Sequence, residues 1–180
     1  MVRKELDVME LLREIYEREL GLSGRDGSSR RHGGNFWMRR TVRGIIFNAR
    51  YEVALLHIKN GNYYKLPGGG LKGSESLEMA MQRKVREELD AKVELTDHIG
   101  LVIEYRDERE LLQFSYGYVG QILNTEKEPE RSEEGIEPGS VLSWHSLKDA
   151  IGLMEGKKPT TYEGQFIQER DLCFLKQLHR

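Results

Sequence analysis

The stretch from Leu66 to Ala91 holds the residues whose types and spacing could do chemistry. Three adjacent glycines, Gly68–Gly70, allow a backbone to approach a ligand without an intervening side chain. The residues that follow favour a helix by composition, and this predicted helix ends with two adjacent acids, Glu87 and Glu88. Because neighbouring helical positions are about 100° apart, the two carboxylates can share one edge and converge on one cation. Oxygen ligands of this kind suit Mg²⁺ or Mn²⁺ rather than zinc, so the pattern predicts a divalent-cation site.

The same stretch resembles the Nudix box, whose pattern is G-x5-E-x7-R-E-U-x-E-E-x-G-U with U an aliphatic residue. Gly69 begins the match, Glu75 follows after five residues, and Arg83 follows after seven more. The run from Lys84 to Ala91 completes the pattern with substitutions at two positions. The Leu-Pro-Gly sequence just before the box also looks like the family. On these residues the chain is identified as a member of the Nudix family.

The resemblance implies a fold and a reaction class. Nudix proteins are α+β proteins, built as α/β/α sandwiches around a mixed β-sheet. Typical members hydrolyse a nucleoside diphosphate linked to another moiety with the help of divalent cations, which neutralise the phosphate charge that repels the attacking water. The chain is therefore expected to be a nucleotide pyrophosphohydrolase that acts on a small nucleotide-type diphosphate and uses Mg²⁺ or Mn²⁺.

The resemblance also implies roles by position in the motif. Glu87 and Glu88 are expected to bind the metal, together with the backbone carbonyl of Gly68. Arg83 is expected to pair with Glu75 and to hold the loop on the helix. The expected catalytic residues are thus the three glutamates and Arg83.

Two residues depart from the pattern. Lys84 stands where the family has a glutamate that binds metal or activates water, and this position shares one side of the helix with Glu87 and Glu88. An ammonium about 4 Å from a dication, at an effective dielectric constant of about 20, is repelled by at most about 8 kcal/mol. Asp90 replaces the later glycine of the box, so a less regular helix end is expected.

Three explanations of Lys84 stay open from the sequence. In the first, the chain is an active hydrolase that takes a base or an extra ligand from its acidic loop over 124–139, with Glu133, Glu134 and Glu137 favoured because they lie nearest the last predicted strand. In the second, the domain is catalytically impaired and binds a nucleotide or sugar nucleotide, with Lys84 meeting the phosphate directly. In the third, Lys84 is an introduced substitution in an active parent.

Substrate identity is weakly marked outside the catalytic residues. Arg39 and Arg43, near the first strand of the domain, are candidates for contact with phosphate or base. Gly69 and Gly70 are candidates for close backbone contact with the same ligand. None of these residues selects one nucleoside diphosphate derivative over another.

The pattern along the chain predicts the elements that position this site. Residues 4–20 have one apolar face at helical spacing, and residues 21–34 are a flexible linker rich in glycine and serine. From residue 36 onward, β-rich runs and helical segments mix in a way typical of a sheet sandwiched by helices. We predict an N-terminal helix and linker over 1–34 and one Nudix domain over 35–180. A homodimer contact is one use for the apolar face of the N-terminal helix.

Composition excludes several other classes of protein. The chain of 180 residues has 28 basic and 30 acidic residues, so no basic field marks nucleic acid as a primary partner. No apolar run approaches the roughly 20 residues that span a bilayer, and the N-terminal stretch does not have the pattern of a signal peptide. The single Cys173 cannot form an internal disulfide. These features predict a cytoplasmic protein.

Overall fold

A mixed β-sheet with helices on both faces makes up the part of the chain that the computed structural model describes, residues 9–22, 35–123 and 139–180. Its strands are β1 (Leu11–Tyr16), β2 (Trp37–Phe47), β3 (Val53–Ile58), β4 (Tyr63–Lys65), β5 (Gly68–Gly70), β6 (Val93–Arg106), β7 (Leu111–Ile122) and β8 (Ser140–His145). Its helices are α1 (Leu77–Leu89), α2 (Leu147–Glu155) and α3 (Tyr162–Leu178). Short 3₁₀ turns follow β1, β3 and β6.

The sheet runs in the order β1-β6-β7-β2-β3-β4, with β5 paired to β2 and β8 paired to β3. β1 is parallel to β6 and β2 is parallel to β7, whereas the other pairs are antiparallel. β2 pairs with β3 only between Phe47 and Val53, and this leaves its edge at residues 41–43 to the glycine strand β5. The topology confirms the predicted α+β fold around a mixed sheet.

Each face of the sheet carries its own apolar core. α1 packs on one face, where Met81 and Val85 lie in a cluster with Val42 of β2. α2 and α3 pack on the other face, where Phe174 lies in a cluster with Ile45 of β2. Because neighbouring strand residues point to opposite faces, β2 contributes to both cores. In this arrangement α1 lies against the glycine strand, and α3 lies against β4, which precedes that strand.

The N-terminal segment differs from the prediction. Leu11–Tyr16 is a strand and not part of a helix, and Glu17–Leu20 is a 3₁₀ turn. Leu101 N–H donates to the carbonyl of Glu10 over 2.7 Å, and Ile15 is completely buried against the sheet. A short helix is marginal without a packing partner, whereas the open edge of β6 offers ladder hydrogen bonds, so strand pairing outweighs the helical spacing. The predicted N-terminal helix is therefore wrong over residues 11–20. The domain division at residue 35 and the homodimer contact stay predictions.

The box helix α1 begins and ends with local caps. Ser76 accepts a hydrogen bond from Met79 N–H at its start. At its end Asp90 adopts a left-handed conformation with φ of 50°, and its N–H donates to the Arg86 carbonyl. Asp tolerates this conformation better than most residues, so Asp90 takes the place of the family's glycine. The expected irregularity of this helix end is wrong.

Candidate active site

Arg83 connects the loop after the glycine strand to the box helix. Its Nε donates to Glu75 Oε1 over 2.5 Å and its Nη2 donates to Glu75 Oε2 over 2.9 Å. Nη2 also lies 3.0 Å from the carbonyl oxygen of Gly70, and Nη1 reaches Glu87. The hydrogen bonds from Arg83 and from Lys72 N–H lower the pKa of Glu75 to about 2, so its carboxylate stays ionised well into the acid range. The structure thus brings together the pair that the motif implied.

Glu88 is directed inward at the end of α1. It is 3% exposed, and its Oε2 accepts a hydrogen bond from Gly68 N–H over 2.8 Å. Lys65 Nζ lies 3.8 Å from its other oxygen. Burial raises the pKa of Glu88, while Lys65 and the Gly68 N–H oppose that shift. Glu88 therefore holds the glycine strand through the nitrogen of Gly68.

Glu87 lies among three cationic side chains. Its Oε2 accepts from Lys84 Nζ over 2.8 Å, and its two oxygens lie 3.1 and 3.2 Å from Arg83 Nη1. Lys72 Nζ is 3.4 Å from Oε1. Burial raises the pKa of Glu87, but the hydrogen bonds from Lys84 and Arg83 outweigh it and bring the pKa to about 2. The Glu87 carboxylate is ionised at neutral pH, and the positive charges of Arg83, Lys84 and Lys72 already balance its negative charge.

Lys84 lies between this carboxylate and the glycine strand. A Cβ placed on Gly69 would overlap Lys84 Cε and would lie 3.3 Å from its Nζ. The lysine stem therefore occupies the space that the absent side chain of Gly69 leaves, and its ammonium meets Glu87. At Gly68 the backbone itself requires glycine, because φ is 145° and a Cβ would overlap the carbonyl oxygen of Val42.

Glu87 and Glu88, the predicted metal ligands, are both engaged by other groups. Carboxylate oxygens suit a hard dication, but Glu87 is neutralised by Lys84, Arg83 and Lys72, and Glu88 is bonded to a backbone N–H. Within residues 9–22, 35–123 and 139–180, no three His, Cys, Asp or Glu side chains are grouped as a metal site would need. With Lys84 in this position, the described residues do not fit a divalent cation. The candidate extra ligands Glu133, Glu134 and Glu137 lie outside the described residues.

The two arginines predicted to meet substrate have different surroundings. Arg43 is buried, donates from Nη1 to the Val42 carbonyl over 2.7 Å and has its Nε 3.9 Å from Asp171. Burial and the nearby Arg170 lower the pKa of Arg43 to about 10. Arg39 is exposed, and a Cβ on Gly70 would lie 3.2 Å from its Nη2. Of the two, Arg39 is the one that a ligand can reach.

A buried ionic cluster under α3 was not predicted from the sequence. Arg170 is fully buried and donates to Asp171 over 2.7 Å and to Glu104 over 3.0 Å. Arg106 also donates to Glu104, over 2.8 Å. Asp171 Oδ2 accepts the N–H of Leu66 over 2.8 Å, two residues before the glycine strand. One sequence feature could have indicated this cluster. Glu104 and Arg106 alternate with half-buried positions of β6 in the same phase as the buried Val102, so both point inward.

The comparisons with known proteins agree with the predicted family and fold. The chain matches the family model described as NUDIX domain over residues 37–165, which is more than half of its length. The chain therefore belongs to the NUDIX domain family. No curated protein matches it.

Solved structures with the same fold come from different organisms. A NUDIX hydrolase from Nitrosomonas europaea is 18% identical, with a TM-score of 0.58 over 79% of this chain and 89% of that chain. An Ap4A hydrolase from C. elegans is 13% identical, with a TM-score of 0.56 over 79% of this chain and 97% of the other. An ADP-ribose pyrophosphatase from Streptococcus suis is 20% identical, with a TM-score of 0.51 over 79% and 92%. At these identities the similarity shows the fold.

The described α-helices are α1, α2 and α3. In the part of the chain covered by the structure, none of them combines the length and the apolar character needed to cross one.

Proposed function

We propose that this chain is a hydrolase of nucleoside diphosphates linked to another moiety, and that Lys84 keeps its turnover low by occupying the place of a metal-binding carboxylate. Membership in the NUDIX domain family supports a hydrolase that acts on diphosphate bonds. The observation that carries the proposal is the 2.8 Å contact between Lys84 Nζ and Glu87 Oε2 inside an otherwise assembled box. The expected roles of Glu75, Arg83, Glu87 and Glu88 are part of the proposal.

The residues of the chain itself explain how a diphosphate would be held. Lys84 and Lys72 both point their ammonium groups at Glu87, beside a glycine strand without side chains. A diphosphate placed there meets two ammonium groups that can bind its oxygens and hold it at the glycine strand. The Arg83–Glu75 pair keeps the loop in position, and Glu88 fixes Gly68.

A binding module for a nucleotide or sugar nucleotide is the second candidate. It is favoured by the same lysine, because an ammonium that replaces a carboxylate can bind a phosphate oxygen directly and adds no metal ligand or base. In that case the diphosphate is held but not cleaved. The two candidates predict different results for Lys84→Glu, which restores the carboxylate of the family pattern: the hydrolase gains turnover, and the binding module does not.

The Lys84→Glu variant distinguishes the candidates. We expect its turnover to be at least tenfold above that of the parent chain, because one recovered metal interaction lowers the barrier by more than about 1.4 kcal/mol. Nucleotide and phosphate release would be measured on nucleoside triphosphates, sugar nucleotides and dinucleotides, each with Mg²⁺ or Mn²⁺. Binding of Mn²⁺, measured by electron paramagnetic resonance, is expected to tighten in the same variant.

Lys84→Gln is the matched control, since it removes the positive charge without adding an oxygen anion. It is expected to gain less turnover than Lys84→Glu. The hydrolase proposal fails if Lys84→Glu binds Mn²⁺ no better than the parent and cleaves none of the compounds. The binding module then remains, provided that nucleotide diphosphates still bind to the parent chain.

A further inference from the structure

The glycine strand separates two cationic side chains that approach it from opposite faces. Lys84 comes from α1 to Gly69, and Arg39 comes from β2 to Gly70. Their terminal nitrogens would lie 3.3 and 3.2 Å from a Cβ on these glycines. Since consecutive Cα atoms are about 3.8 Å apart, the two cations lie within roughly 14 Å of each other. A triphosphate with a hydrogen bond at each end can span this distance.

Arg39 lies in positively charged surroundings. None of the described residues forms a hydrogen bond or an ion pair with the Arg39 side chain. Burial of its inner part lowers its pKa, and the nearby Arg106 and Arg170 lower it further, whereas Glu104 alone acts in the other direction. An arginine held beside other arginines without a carboxylate of its own is suited to bind an anion.

The arginines behind it have donors left over. Arg43 Nε and Arg170 Nη2 are buried and have no hydrogen-bond partner among the described residues. Buried guanidinium donors are costly to leave unpaired, so this side of the glycine strand favours negative charge. Arg39 is the exposed member of the group, and so the member through which an anion would enter.

The charges around the glycine strand do not balance. On the α1 side, four basic side chains face three acidic ones; on the α3 side, four basic side chains face two. Eight basic groups against five acidic groups leave three positive charges in excess within this set. The basic groups are Lys65, Lys72, Arg83, Lys84, Arg39, Arg43, Arg106 and Arg170, and the acidic groups are Glu75, Glu87, Glu88, Glu104 and Asp171.

We propose that Arg39 binds a further phosphate group of the ligand, on the face of the glycine strand opposite Lys84. This inference rests on the proposed function, because it requires a diphosphate at Lys84 and adds a third phosphate beyond it. It favours compounds with at least three linked phosphates over sugar diphosphates, whose second moiety is uncharged. The guanidinium fork of Arg39 matches the oxygens of a phosphate, and no side chain on Gly70 stands in the way.

The test compares inorganic tripolyphosphate with pyrophosphate by calorimetric titration at fixed ionic strength. We expect the parent chain to bind tripolyphosphate at least tenfold tighter than pyrophosphate. Arg39→Gln is expected to reduce this ratio to below about threefold while leaving the affinity for pyrophosphate within about twofold. Because the readout is binding, a chain without hydrolytic turnover still answers the question.

Arg40→Gln is the matched control, because Arg40 is the next residue of β2, is also exposed and points to the opposite face. It is expected to keep the preference for tripolyphosphate. The proposal is overturned if Arg39→Gln keeps the full preference, or if Arg40→Gln loses as much of it, since the second result would reflect general surface charge. Failure of Lys84→Glu to gain turnover would count against the hydrolase and would leave this result unaffected.

Discussion

Gly68 is the residue of the glycine strand whose backbone conformation requires glycine. Its φ of 145° and the position of the Val42 carbonyl exclude a side chain. Its N–H donates the hydrogen bond that the buried carboxylate of Glu88 accepts. The conformation of this one residue therefore sets both the path of the strand and the position of the buried acid.

Gly68→Ala is expected to lower the free energy of unfolding by about 3 kcal/mol or more, because the added Cβ meets backbone and the φ is strained for alanine. Urea unfolding followed by circular dichroism measures the change. Gly152→Ala, in α2, is the control: a Cβ there has no atom within 4 Å, and alanine is expected to stabilise the helix by about 0.5–1 kcal/mol. A Gly68→Ala chain as stable as the parent would contradict this account of the strand.

At the scale of elements, α3 supports the glycine strand through charge as well as through apolar packing. Phe166 and Phe174 fill the core, and Arg170 with Asp171 lies between them, fully buried. Asp171 reaches the N–H of Leu66, and Arg170 reaches Glu104 of β6. The helix thereby joins Leu66, which lies between β4 and β5, to β6, which is a neighbour of neither strand in the sheet order.

Arg170→Met keeps most of the side-chain volume but removes the buried guanidinium that Asp171 and Glu104 share, so only Arg106 and Gln113 remain on Glu104 and only the Leu66 N–H remains hydrogen-bonded to Asp171. We expect a loss of about 3–5 kcal/mol in the free energy of unfolding. Lys176→Met on the same helix removes a half-exposed ion pair with Glu155 and should change stability by less than about 1 kcal/mol. Similar urea midpoints for the two variants would show that the cluster under α3 adds nothing to stability.

The elements that carry the box could be predicted because their signals are local. The glycines and the helix-forming run that follows them lie within one stretch of sequence, and the structure has α1 over Leu77–Leu89. The buried cluster could not be predicted, because Arg170 and Asp171 interrupt an expected apolar stripe and their partners lie on other elements. The contact between Lys84 and Glu87 follows from helical spacing. The position of Lys84 against Gly69 could not be predicted, because it depends on how the sheet places β5 beside α1.

At the scale of the whole molecule, the sheet extends beyond the residues that match the family model, because β1 precedes that match and pairs with β6. β1 lies at the edge beside β6, and Tyr16 stacks on Tyr105 with ring centroids 4.5 Å apart. Ile15 is completely buried in the core on the α3 side. The helical spacing of this segment was misleading because its apolar residues meet the edge of a sheet, where local propensity is outweighed.

Ile15→Ala is expected to cost about 2–5 kcal/mol of unfolding free energy, as removal of a buried isoleucine side chain does in a packed core. Leu11→Ala, in the same strand, should cost less than about 1 kcal/mol because Leu11 is 48% exposed. Urea titrations of both variants measure the difference. Equal and small effects would mean that β1 unfolds independently of the rest of the sheet.

The hydrogen bond from Leu66 to Asp171 has a consequence for synthesis of the chain. It joins residues 105 positions apart, whereas the bond from Gly68 to Glu88 spans only 20 positions. During translation the box helix can therefore close on the glycines early, but the second anchor of that strand must wait until the last helix has left the ribosome. Until α3 emerges, β2 and α1 hold the glycine strand, and the residue two positions before that strand lacks its bond to Asp171.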